Sequence, residues 1–354
     1  RPEAELMAVL KHVRFATMEE GFVRNTVRAW PALLGAKGKG VLHASLTPVA
    51  GGVQPSSRLG FGPRRIYLVG GGDIEEDVVS TVLSYDPLRD TWCEVTSMAT
   101  ERCAHGAAAL GGKLYVMGGY GVDGEDTTLA EAEVYDPKAD GWQPLPSMPT
   151  ARKYLAAAAV AGKVYAIGGI NDEGLCDTVD AYDPISGSWT RAASLPVACG
   201  SHTATVVNGK IYVVGGNIDD DEGEVVATDR VDVYDPATDS WQQLAAMPTA
   251  RSALAAAVVD GIIYVTGGSL DSCEPSVALE AYDPVTNTWT TLASLSHPRA
   301  DHASAVINGK LCVFGGYSRS GRTELVEVYS PASNSWARAA DLPSAIDEPV
   351  AVAL

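Results

Sequence analysis

The sequence has no long hydrophobic run. Its longest apolar stretches, such as YLAAAAVAG, are alanine-rich and fall far short of the roughly 20 residues that cross a bilayer as a helix. The first residues include no apolar segment of the kind that directs secretion. The six cysteines include no CxxC pair and are widely and irregularly spaced, which predicts reduced thiols rather than a disulfide framework or a zinc site. GxSxG, Walker A and HExxH signatures are all missing, so the sequence offers no hydrolase, nucleotide or zincin chemistry. There is no initiator Met, and the chain is expected to be a fragment of a longer protein.

Positive charge is also scarce. The chain carries 26 Lys/Arg against 44 Asp/Glu, a formal net of −18. Residues 1–62 hold eight Lys/Arg and four Asp/Glu, leaving 18 against 40 for the rest. So acidic a body repels nucleic-acid phosphates and anionic lipid headgroups, and its long-range field favours a basic partner. No nucleic-acid or membrane partner is expected.

Glycine, tyrosine and tryptophan recur in a fixed order. Apolar stretches run into paired glycines at Gly70, Gly118, Gly168, Gly215, Gly267 and Gly315. Each pair is followed by a tyrosine (Tyr85, Tyr135, Tyr182, Tyr234, Tyr282, Tyr329). Seven residues later comes a tryptophan (Trp92, Trp142, Trp189, Trp241, Trp289, Trp336). Only the stretch between Gly-Gly and Tyr varies in length. Each unit predicts four short strands. Strand A is small and apolar. A two-residue Gly- or Asn-containing turn of type I′ leads to strand B, which ends in Gly-Gly. A variable loop leads to strand C with its Tyr; Asp-Pro breaks the ladder, and strand D carries the Trp. Six such sheets set radially make an all-β, six-bladed propeller with four-stranded antiparallel blades. The glycine pairs are expected to let aromatic side chains approach the backbone where blades meet, with one Trp and one Tyr per blade filling the interfaces. No strand A precedes Gly70, whereas the chain ends in one, so the C-terminal strand near 349–354 is expected to close blade one beside residues 66–71.

These residues resemble the kelch motif over roughly 63–354. Cys312 replaces a repeated Tyr, and Tyr-Ser-Pro replaces Tyr-Asp-Pro in the sixth unit. Residues 1–34 predict two helices, with Thr17 and Glu20 forming a capping box. Residues 35–62 read as a Gly/Ala/Pro-rich linker. The stretch LMAVLKHVRFATM resembles the C-terminal end of a BACK domain. This order resembles the kelch-like (BTB-BACK-kelch) family, with the BTB domain absent from the fragment. The resemblance implies a cytoplasmic, non-enzymatic module that binds substrate for a cullin-3 ubiquitin ligase, cullin-3 being engaged through the absent BTB domain. The alternatives are a kelch scaffold such as an actin-associated protein, or an enzyme on a kelch propeller such as a sugar epimerase or oxidase.

In that family the B–C and D–A loops share one face, and that face holds the protein or peptide partner. Carried over residue by residue, the positions after the glycine pairs give Tyr120, Ile170, Asn217, Ser269 and Tyr317. The starts of strand A give Arg102, Arg152, Arg251 with Ser252, and Arg299. Cys199 and Ile346 stand where Arg is expected. An inner ring of Arg within an acidic rim (Asp73, Glu75–Asp77, Asp123–Asp126, Asp172, Glu173, Asp219–Glu222) is the expected picture. His105, His202 and His302 occupy one repeat position, but strands across a six-bladed channel stand too far apart for three ~2.1 Å metal–nitrogen bonds. The loop NIDDDEGEVVAT fails the EF-hand pattern, its Gly coming one residue late and its twelfth position being Thr228. No catalytic residue, metal or cofactor is expected.

Overall fold

The computed structural model describes residues 65–73, 78–122 and 126–354. The expected helices and linker of residues 1–62 lie outside the described residues. Six four-stranded antiparallel sheets follow one another, each ordered A-B-C-D from the axis outward. In blade two these strands are Gly106–Leu110, Lys113–Met117, Ala132–Asp136 and Gly141–Leu145. Blade one is built from both ends of the propeller: Val350–Ala353 pairs with Ile66–Val69 in the register Ile66↔Ala353 to Val69↔Val350. The A strands neighbour one another in a ring that closes between the C-terminal strand and Gly106–Leu110. Their alanines line the channel, where only small side chains fit. The A–B turns take positive φ at both central positions, as at Asn208 (50°) and Gly209 (76°), which is the type I′ geometry.

The glycine pairs serve backbone rather than aromatic contacts. A Cβ on Gly118 would stand 2.5 Å from the Arg152 carbonyl of the next blade, and one on Gly119 would stand 2.5 Å from the Cys103 carbonyl of its own. The amide of each second glycine donates to the following blade, as in Gly119 N to Arg152 O (2.9 Å) and Gly216 N to Arg251 O (2.9 Å). Chain from two blades therefore meets at distances that exclude a side chain, and both glycines adopt positive φ.

The aromatic residues fill the interfaces between blades as expected: each strand C Tyr and strand D Trp packs in one apolar cluster with strands of the preceding blade. The strand C tyrosines are buried, but the tryptophans are only half-buried. Each Tyr ring packs on its own blade's Trp, with centroids 4.9–5.2 Å apart. Each indole N–H reaches back to a carbonyl of the preceding blade: Trp142 to Thr96 (2.8 Å), Trp241 to Ala193 (2.9 Å), Trp92 to Ala340 (3.1 Å). In five blades an Asp or Asn clamps the amide of that same residue, as Asp140 does for Thr96 and Asp239 for Ala193, while accepting the Tyr hydroxyl. The exception is matched on both sides. Trp189 reaches Pro146, which has no N–H, and blade three has Gly187 where the clamp would stand. Where Cys312 replaces the strand B tyrosine, Phe314 packs edge-on against Trp92 at 5.6 Å.

Candidate functional site at the channel mouth

Strand order places the A–B and C–D turns at one end of the channel and the B–C and D–A connections at the other. The D–A connections lead to the mouth in six equivalent steps. In each, a residue with φ between 50° and 54° precedes strand A by two positions: Ala104, Tyr154, Ser201, Ala253, Asp301 and Glu348. Their backbones hydrogen-bond in sequence around the axis, from Tyr154 N to Ala104 O (2.7 Å) through to Glu348 N to Asp301 O (2.7 Å). These six residues rim a cavity of about 200 Å³ whose wall continues into His105, Leu155, His202, Leu254, His302 and Pro349. A second void of about 280 Å³, lined by alanines, valines and Thr205, continues along the channel.

The arginines do not form a ring at this mouth. Arg102, Arg152, Arg251 and Arg299 are 0% exposed, so this position does not open on the face as the resemblance implied. Each guanidinium turns into its own blade, donating to the carbonyl of the first paired glycine and to a strand C carboxylate. Arg299 bonds Gly315 O (2.9 Å) and Glu327 (2.7 Å); Arg102 bonds Gly118 O (2.8 Å) and Glu133 (2.8 Å). Arg152 pairs with Asp180 and Arg251 with Glu280 in the same way. The physical reason is the carboxylate two residues before the strand C Tyr of blades two to six, buried and in need of a cation. Blades without this Arg are matched to its absence. Blade one has Ile346 and Leu83 in one apolar cluster. Blade four has Cys199, and its Asp232 is held by Arg230 at 2.5 Å.

The other expected positions are on the face but vary in access. Ser252 is buried, with its backbone bridged to that of Ser269 (3.0 and 2.7 Å). Asn217 bridges Gly200 and is half-buried, as is Ile170, which bridges Lys153. Tyr317 is 46% exposed and bridges Ala300. Tyr120 is half-buried. Its hydroxyl donates to Glu348 (3.3 Å), and the Lys153 ammonium stands 5.2 Å from its ring centroid. The loop acids Asp172, Glu173 and Asp219–Glu222 are exposed, whereas residues 74–77 and 123–125 lie outside the described residues. Arg319 of blade six is ion-paired to Glu274 of blade five.

Residue-type reasoning missed Tyr154, Ser201, Asp301 and Glu348. Glu348 accepts hydrogen bonds from the hydroxyls of Tyr154 (3.1 Å) and Tyr120 (3.3 Å). Burial raises the Glu348 carboxyl pKa, and burial also drives both phenols well above their ordinary range. Asp301 is pushed up to about 7, first by burial and then by the neighbouring Glu348 and Asp347 carboxylates. The usable signal is variation: within a motif whose Gly, Tyr and Trp positions repeat, this position reads Ala, Tyr, Ser, Ala, Asp, Glu. The three histidines are buried and held neutral, His105 and His302 near 3 and His202 near 4. Among the described residues no group of three His, Cys, Asp or Glu side chains could hold a metal ion.

A family model, the KLHDC2/KLHL20/DRC7 Kelch-repeats domain, matches residues 48–216 and 201–351. The chain belongs to this family of kelch-repeat proteins. It is 41% identical over 54 residues to the F-box/kelch-repeat protein At1g67480 of Arabidopsis thaliana, a match covering 15% of this chain and 14% of that protein. Among solved structures it is similar to YjhT, with a TM-score of 0.62 and 19% identity over 71% of this chain and 87% of the other, a likeness of fold alone. No helix among the described residues is long and apolar enough to cross a membrane.

Proposed function

We propose that the propeller is a non-enzymatic protein-recognition module, and that the longer protein is the substrate adaptor of a cullin-3 ubiquitin ligase. The observation that carries the first part is the channel mouth. Six backbone positions of one geometry present five different kinds of side chain, and the positions after the glycine pairs vary beside them, while the repeated Gly, Tyr and Trp positions serve packing. Shared geometry with free side-chain choice suits a surface selected for a partner. The partner is a protein or peptide held by Tyr120, Tyr154, Ser201, Asn217, Ser269 and Tyr317 around the mouth. The four arginines support the blades beneath it. The second part rests on the order of a BACK-like segment, a linker and the propeller. On this reading the protein acts in the cytoplasm and a BTB domain binds cullin-3.

A paired-face capture experiment tests the first part. Tyr154→Ala with Tyr317→Ala should abolish capture of the physiological partner, whereas Ile185→Ala with Val285→Ala, on exposed C–D turns at the other end, should leave it unchanged. Loss only in the second pair would refute the proposed face. Failure of the longer gene product to co-precipitate cullin-3 would remove the adaptor role and leave a kelch scaffold as the reading.

A further inference from the structure

The cavity at the channel mouth is too small for a drug-sized ligand, whose sites run about 300–1,000 Å³, but at about 200 Å³ it can admit one long side chain. Its polar wall is lopsided. Blades six and one contribute Asp301 and Glu348, blade four Ser201 and blade three Tyr154. Blades two and five contribute only alanine at this position. Glu348 has two phenolic donors. The recessed Asp301 carboxylate accepts no hydrogen bond from any described residue and has carboxylates as its charged neighbours. An acid in such a place is compensated by a proton or by a cation from outside. The nearby cations are engaged elsewhere: Arg322 pairs with Asp347 at 2.9 Å, Lys153 lies against the Tyr120 ring, and Arg299 is bound to Glu327. Exposed Asp172, Glu173 and Asp219–Glu222 on the same face add a field that draws cations inward.

We propose that the channel mouth is a receptor for one cationic side chain of the bound protein, a lysine ammonium or an arginine guanidinium, held by the carboxylates of Asp301 and Glu348 with the hydroxyls of Ser201 and Tyr154 beside them. This rests on the reading that the propeller binds a protein at this face, and it names the chemistry of the residue that enters. The alanine walls accept the aliphatic stem of such a side chain while its head meets the acids. Binding ionises Asp301 and releases its proton, so affinity rises as pH rises through about 7. His105, His202 and His302 stay neutral across this range because they are buried, and so add no competing charge.

The test titrates the full chain with n-butylammonium and n-butylguanidinium, using n-butanol as the neutral probe and calcium chloride as the divalent one. At least one organic cation should saturate a single site. Asp301→Asn should weaken that site at least tenfold while melting no earlier than the parent, and Ser201→Ala should weaken it less. At pH 8 binding should be tighter than at pH 5.5 and should release a proton. The receptor is refuted if Asp301→Asn binds as well as the parent, if n-butanol binds as well as the cations, or if calcium displaces both from a tighter site. If no cation binds while paired-face capture still depends on Tyr154 and Tyr317, this inference fails and the recognition reading stands. If cations bind but capture depends on the opposite face, the pocket does not serve the partner and the inference fails with that reading.

Discussion

Replacing Arg251 by Met should destabilise the propeller by about 3–5 kcal/mol, the usual result of breaking a buried ion pair from one side. The structure supplies the reasons. The guanidinium is fully buried, donates to Gly267 O at 2.5 Å, and is the only cation among the described residues that pairs with Glu280, itself 2% exposed. Once it is removed, Glu280 keeps, among the described residues, the Thr249 hydroxyl at 3.1 Å. Arg152→Met provides the contrast. Asp180 would still hold Arg191 at 2.9 Å, so the loss reduces to the bonds to the Gly168 and Thr178 carbonyls, about 1–3 kcal/mol. The double variant Arg251→Met with Glu280→Leu should recover most of the first loss, because it copies the apolar Ile346 and Leu83 of blade one. Guanidinium chloride unfolding followed by tryptophan fluorescence gives all three values. Equal losses for Arg251→Met and Arg152→Met, or no recovery in the double variant, would refute the assignment of these arginines to blade packing.

Trp241→Phe should cost about 1–2 kcal/mol by removing the indole bond to the Ala193 carbonyl while keeping the ring contact with Tyr234; an unchanged denaturation midpoint would show that the latch contributes nothing. Deleting residues 350–354 should expose the Ile66–Val69 edge and make the protein aggregate on mild heating; light scattering identical to the parent's would contradict non-covalent closure. Asp301 has a folded pKa of about 7, above the ordinary value, so its protonated form is favoured by folding and its contribution is lost as pH rises from about 4 to 7. Asp301→Asn should therefore raise the melting temperature more at pH 8 than at pH 5, and a shift that does not depend on pH would contradict the burial of this carboxyl.

What could be read in the residues was whatever the repeat writes six times. Gly-Gly, Tyr and Trp at near-constant spacing define four strands and six blades, and the missing strand A before Gly70 points to closure by the chain end. The arginine position was equally visible, but its role was not. A repeated Arg 16 residues before a glycine pair is compatible with a binding ring or a buried strut. The deciding residue is its carboxylate partner on strand C, 28 to 31 residues away along the chain. Trp and Tyr recurring beside the glycine pairs suggest aromatic packing, whereas the nearest approaching atoms are backbone carbonyls, which leave no mark in residue type. The mouth residues escaped for the opposite reason: Tyr154, Ser201, Asp301 and Glu348 share a backbone conformation and no chemistry, so no motif joins them.

The central claim is that this propeller engages a protein partner at the channel mouth, and site-specific photocrosslinking tests it most directly. A photoreactive residue at Tyr317, exposed on the B–C face, is compared with one at Val285, exposed on a C–D turn at the other end. The account predicts a protein adduct from Tyr317 that disappears in the Tyr154→Ala background, and none from Val285. An adduct from Val285 alone would place recognition on the opposite face and contradict the account.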